Sequence, residues 1–147
     1  MGMPRAIQRY EVSLKAFIVR DGRALFVREA DTGWWELPGG RIDVGEEWLP
    51  HSEVLAREIR EELGDGFRLT VHAPAVTWTR QRPSDGVFQF IVARLCTPGG
   101  GPPELSGEHD RIAWLTREEA AELDFPEPST YRDAIRRLWD LAPSVAP

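Results

Sequence analysis

A single cysteine, Cys96, is all the sequence holds. No internal disulfide can close, and the pattern suits a reducing compartment, which sets a cytoplasmic expectation. Long apolar runs are missing too. Gln89 and Arg94 interrupt even the strongest one, Val87 to Leu95, well short of the roughly 18 residues that a membrane span requires. Positive charge is in deficit: 18 Lys plus Arg stand against 24 Asp plus Glu, a net charge of −6. That balance argues against a nucleic acid polymer, whose binding draws on basic side chains that neutralise phosphates. A small anionic ligand stays open if a metal cation mediates. The stretch from Met1 to Ala6 lacks the apolar segment of a signal peptide, and Ala6 stands where a myristoylation signal needs Ser or Thr. No internal repeat and no long block of like charge occurs. What is present, 147 residues of which 41% are apolar and 29% charged, fits one compact domain over residues 1–147.

Val12 to Val19 is rich in β-branched and apolar residues. Asp21-Gly22 is a tight-turn signal, and Ala24 to Val27 follows, so a hairpin is expected. Trp34 to Leu37 reads as a short strand stopped by Pro38-Gly39-Gly40, with a loop beyond. From about Pro50 to Leu63 the pattern turns helical: Leu55, Ile59 and Leu63 recur at four-residue steps, and Gly64 sits where a C-cap is expected. Phe67 to Ala73, Val76 to Arg80 and Val87 to Leu95 read as three more strands, and Thr97 to Pro103 as a flexible loop. Ile112 to Leu115 is a further strand. Thr116 and Glu119 form a capping-box pattern that opens a helix to about Leu123. A last helix runs from near Ser129 to Leu141, with Ile135, Leu138 and Trp139 on one side. Strands with interspersed helices imply an α/β fold, layers of helix around a mixed sheet.

The chemistry concentrates in Gly39 to Glu46 and in Arg57 to Gly64. At about 100° per residue, Glu58, Glu61 and Glu62 share one helix face beside the Leu55/Ile59/Leu63 stripe. A solvated charged face is the ordinary reading of such a helix, with Arg57 paired to Glu61. Here, however, Glu58–Glu61 and Glu58–Glu62 are like-charge pairs at neighbour spacing, each unfavourable by a few tenths of a kcal/mol. A divalent cation removes that cost. Mg²⁺ takes oxygen ligands, commonly one or two carboxylates together with substrate phosphates. The glycine-rich turn allows a backbone carbonyl to approach the same ion.

These segments resemble the signature of the Nudix hydrolases, Gly-x5-Glu-x7-Arg-Glu-U-x-Glu-Glu-x-Gly-U, where U is apolar. Gly40 and Glu46 keep the first spacing, Arg57 to Gly64 matches the second half position by position, and Trp35 to Gly40 looks like the usual lead-in. The hairpin before the box and Glu108 to Leu115 after it also look like that fold. Two departures stand out. Ten residues, Glu47 to Ala56, separate Glu46 from Arg57 where the pattern has seven. The insertion puts the role of Glu46 in question, because in the family it supports the box arginine, and Glu47 or Glu53 are alternatives. Asp65 occupies the closing apolar position, and Phe67 can fill the core nearby.

The resemblance implies an α/β/α sandwich and an enzyme that hydrolyses a nucleoside diphosphate linked to another group, with Mg²⁺ or Mn²⁺ as cofactor. It also implies a metal site of Glu58, Glu61, Glu62 and the Gly39 or Gly40 carbonyl, with Arg57 orienting the carboxylates. For the general base, Glu58, Glu104 and Glu108 compete, and Glu108 is the second choice after the box glutamate. Nucleoside triphosphates, sugar nucleotides and ADP-ribose all stay open as substrates. Many members are homodimers. Trp34 and Trp78 are candidates for stacking on a base, and Arg80 and Arg82 for pairing with phosphate, against the plainer readings of core packing and surface exposure. His51, His72 and His109 have no ligand spacing to one another and read as surface or half-buried residues. The alternative function is a nucleotide-binding or sensor module on the same fold with weak catalysis. The intact helix glutamates argue against it.

Overall fold

The computed structural model describes residues 2–145; Met1, Ala146 and Pro147, and with them the ends of the expected 1–147 domain, lie outside the described residues. Seven strands run β1 (Glu11–Arg20), β2 (Arg23–Glu29), β3 (Trp35–Glu36), β4 (Gly39–Arg41), β5 (Arg68–Gln81), β6 (Phe88–Gly100) and β7 (His109–Leu115). The helices are α1 (His51–Leu63), α2 (Arg117–Ala120) and α3 (Tyr131–Leu141), the last ending in a 3₁₀ turn. The sheet order is β3-β2-β1-β6-β5, with β4 also on β1 and β7 on β2. The β1–β6 pair is parallel and the other strand pairs antiparallel. The sheet is therefore mixed, with a helix on each face, as the α/β expectation had it. No described helix is long and apolar enough to cross a membrane.

Alternation along β1 shows why both faces carry a helix. Leu14, Ala16 and Ile18 point to one side, where they are buried with Val54, Leu55, Ile59 and Leu63 of α1. Phe17 and Val19 point to the other side and are buried with Ala134, Ile135, Leu138 and Trp139 of α3. Lys15 shares the Phe17 side but replaces an apolar residue with a charge, so the α3-side core stops there and a cleft begins. The expected stripes of both long helices are buried as read. The capping box at Thr116 is formed, although α2 itself closes after Ala120.

Three expectations change. The two strands placed at Phe67–Ala73 and Val76–Arg80 are one strand, β5, whose register shifts between Val71 and Ala75. Pro74 sits in that bulge, where the missing N–H breaks no ladder bond. The glycine segment expected to be a loop is a short strand, because Gly39 and Gly40 pair with Lys15 and Leu14. Thr97 to Gly100, expected as a flexible loop, continues β6 against Arg68 to Thr70.

Tyr131 ties α3 to the strand that leads into the glycine turn. Its buried hydroxyl accepts the Leu37 N–H at 2.9 Å, and its ring stacks on Phe125 and meets Trp78 edge-on. Removing the hydroxyl orphans a buried donor. Tyr131→Phe is expected to lower stability by about 1–3 kcal/mol in a denaturant titration; an unchanged midpoint would show that the tether contributes nothing.

Candidate active site

Helix α1 starts after Pro50 and ends at Leu63, so the inserted residues stay in the turns before it. The phase of the acidic face is undisturbed. Glu46 keeps its partner despite the longer link: Arg57 Nε donates to Glu46 Oε2 at 2.7 Å and Nη2 to Oε1 at 2.6 Å. Neither Glu47 nor Glu53 takes that place; Glu47 instead accepts the Gly45 N–H. The same guanidinium reaches Glu58 at 2.9 Å and Glu61 at 3.0 Å.

Arg57 thus compensates the Glu58/Glu61 pair directly, so a divalent cation is not needed to remove that cost. Glu61 faces outward, with 59% of its side chain exposed. Among the described residues no three His, Cys, Asp or Glu side chains converge as metal ligands would. What the fold does bring together is Glu58, Glu62 and the glycine turn. Glu62 Oε2 accepts the Gly39 N–H at 2.9 Å. The Glu58 carboxylate lies so close to Gly40 that a Cβ there would overlap it.

These two carboxylates are not equivalent to solvated ones. Burial pushes Glu62 up to about 7, against the opposing charge of Lys15 and the Gly39 hydrogen bond. Burial also raises Glu58, with Arg57 opposing. A buried carboxylate is made easier to ionise by a nearby positive charge. Hard oxygen donors from two carboxylates, seated on bare main chain, are what a magnesium-type ion takes. The residues present therefore fit such an ion.

Gly39, Gly40 and Glu62 open into a cleft of about 520 Å³. Arg80, Arg82 and Glu108, candidates from the sequence, line it. Arg82 is engaged at the rim, paired with Asp85 at 2.6 Å and Glu11 at 3.0 Å. Arg80 keeps a buried Nε without a partner among the described residues, and its guanidinium lies 5.6 Å over the Trp34 ring. Trp34 is half-buried and outside the cleft lining. Trp78 is a correction: it is 4% exposed and packed in the α3-side core. Its position on β5 alternates inward, opposite Ile91 of β6, so it cannot meet a ligand. Glu104 also lies outside the cleft lining, its backbone N–H tied to the Leu63 carbonyl at the end of α1.

The sequence reading missed a buried polar group on the cleft floor. Ser13, Lys15, Gln89 and His109 are each less than a tenth exposed, and all line the cleft with Glu36. His109, read as surface or half-buried, is buried and shares a 3.0 Å hydrogen bond with Glu36 through Nε2. Burial lowers the basicity of His109, but the hydrogen bond to Glu36 and the charges of Glu62 and Glu36 outweigh it and raise its pKa. Burial likewise opposes the charge on Glu36, and Lys15 and His109 together overcome it. One signal was available. Lys15 is a charge set between Leu14 and Ala16 in the otherwise apolar stretch from Leu14 to Val19.

A family model described as NUDIX domain matches residues 9–138. A MutT-like protein of Streptomyces ambofaciens is 36% identical over 114 residues, covering 77% of this chain and 68% of that protein. Nucleoside triphosphatase NudI of Enterobacter sp. (strain 638) is 30% identical over 102 residues, 65% of this chain and 70% of its own. Among solved structures, a UDP-X diphosphatase superposes with a TM-score of 0.75 at 21% identity, over 95% of this chain and 66% of that one. At that identity the last likeness concerns the fold.

Proposed function

The chain belongs to the Nudix hydrolase family, and from that premise we propose a divalent-cation-dependent pyrophosphohydrolase. Its substrate is a nucleoside diphosphate joined to a further group, and its products are a nucleoside monophosphate and a phosphorylated remainder. The observation that carries the reading is the seating of Glu58 and Glu62 on Gly40 and Gly39 at the head of a cleft that also holds basic side chains. Two of the similar proteins are named for a nucleoside triphosphate and for a UDP-linked substrate, and both contain the bond proposed here.

In this assignment Glu58, Glu62 and the main chain of Gly40 would hold the ion. Glu61 joins them only by leaving Arg57. The ion's chemistry is to stabilise charge on phosphoryl oxygens and to lower the pKa of a bound water. Arg57 orients Glu58 through its 2.9 Å hydrogen bond while Glu46 anchors the guanidinium. Glu58, raised by burial, and Glu108, exposed at the cleft mouth, are the candidates to accept the water's proton. Arg80 offers its guanidinium charge to the substrate along the cleft that it lines, and Arg82 a second cation at the rim. The Trp34 ring backs the Arg80 guanidinium.

The test is a panel of nucleoside triphosphates, UDP-sugars and ADP-ribose, each with Mg²⁺, with Mn²⁺ and with EDTA. Nucleoside monophosphate from at least one compound, abolished by EDTA, is the expected result. No monophosphate from any member with either metal would overturn the assignment.

A further inference from the structure

Every cationic side chain of this protein is an arginine except one: Lys15 is the only lysine in the sequence. It is also the most deeply placed cation of the cleft, 8% exposed, in the middle of β1 and directly across from Gly39 of β4. Its neighbours along the strand, Leu14 and Ala16, face the opposite core, so the lysine stem runs alone toward the cavity it lines.

Among the described residues the ammonium has no hydrogen-bond partner. The nearest carboxylate oxygen, Glu36 Oε2, is 3.9 Å away, beyond hydrogen-bonding reach. The other oxygen of Glu36 is bonded to His109 at 3.0 Å, which keeps the carboxylate from swinging toward the lysine. The ammonium opens onto the cleft that it lines, so its three donors face the space a ligand would fill. Glu36, within 4 Å, balances its charge, but none of its donors is used. A ligand with anionic oxygens would supply the missing acceptors, and an ammonium is a compact point charge suited to a phosphoryl group.

We propose that Lys15 Nζ donates to a phosphoryl oxygen of the bound substrate, with Glu36 and His109 as positioning residues that hold the ammonium in the cleft without consuming its donors. The phosphoryl group would then lie between Lys15 on the sheet floor and the Glu58/Glu62 seat on the glycine turn. This rests on the hydrolase reading for the identity of the anion. The purely structural alternative makes Lys15 one half of a buried ion pair with Glu36.

Because there is one lysine, protein labelled with ¹³C-lysine gives one Cε resonance. Titration with imidodiphosphate, an unreactive pyrophosphate analogue, in the presence of Mg²⁺ is expected to shift that resonance, and Mg²⁺ alone to shift it much less. Lys15→Met is expected to weaken imidodiphosphate binding roughly 10- to 100-fold by calorimetry, the loss of one charged hydrogen bond. Its thermal midpoint is expected to fall, since Glu36 loses the positive charge that offsets its burial, so the affinity is the deciding readout. A lowered midpoint with unchanged imidodiphosphate affinity would assign Lys15 to the ion pair and overturn the proposal. If the variant does not fold, the labelled native protein decides: a Cε resonance that stays fixed while imidodiphosphate binds overturns it equally. Hydrolysis of the nucleotide panel by a protein whose lysine signal ignores imidodiphosphate would reject this inference and leave the hydrolase reading standing.

Discussion

Glu62→Gln is expected to abolish hydrolysis and, in EDTA, to make the protein more stable than the native chain above pH 7. The sign follows from the direction of the shift. Burial raises Glu62 from 4.5 to about 7, so between those values the folded state binds the proton that the unfolded chain has released. Stability from this group is fully present below the unfolded value and is lost as pH rises through the folded one. The side chain is nearly fully buried, so the effect is on the order of 2 to 3 kcal/mol between pH 4.5 and 8. Glutamine keeps an oxygen for the Gly39 N–H but has no proton to lose. Its unfolding free energy should therefore be flat where the native profile declines. Turnover should fall at least about 100-fold with the loss of an anionic oxygen for the metal. Denaturant titrations at pH 5 and pH 8 check the first half, and kcat/KM with Mg²⁺ the second. Parallel pH profiles would mean that Glu62 is not the buried acid described, and undiminished turnover would remove it from the site.

The two adjacent glycines should fail in opposite ways. Gly39 has φ of 142°, and a Cβ there would run into the carbonyl oxygen of Leu14 on β1. That oxygen belongs to a strand paired on both edges, so it cannot retreat. Gly39→Ala is expected to cost more than about 3 kcal/mol and to yield little folded protein. Gly40 needs no unusual φ, and its Cβ would meet the Glu58 carboxylate, the end of a flexible side chain. Gly40→Ala should fold with a stability change within about 1 kcal/mol, yet lose at least roughly 100-fold in kcat/KM as Glu58 is pushed from its seat. Far-ultraviolet dichroism, a denaturant midpoint and a rate for each variant separate the cases. A fully active Gly40→Ala protein would show that the contact between Glu58 and the turn is dispensable.

Several elements were legible because their cause is local. The four-residue recurrence of Leu55, Ile59 and Leu63 marks α1 to within a residue, and Thr116 with Glu119 marks the capping box before α2. The segment from Phe67 to Arg80 reads as two strands, whereas Pro74 between them is accommodated by a bulge once β6 supplies a partner. The glycine turn reads as a loop for a like reason: nothing near Gly39 in the chain announces that Lys15 and Leu14 will pair with it. Trp34 and Trp78 were treated alike in sequence. Packing separates them, since one lies under Arg80 and the other under Tyr131.

By itself the sequence determined the family, the two long-helix stripes and the common face of Glu58, Glu61 and Glu62, because each follows from residue identity and a 3.6-residue period. Tertiary structure alone decided which of those acids is buried, that Glu46 still anchors Arg57 across the longer link, and that Lys15, Glu36 and His109 meet on one cleft floor. The reason is physical: a helix period sets direction about its own axis, whereas desolvation and charge pairing depend on what other strands bring across the gap.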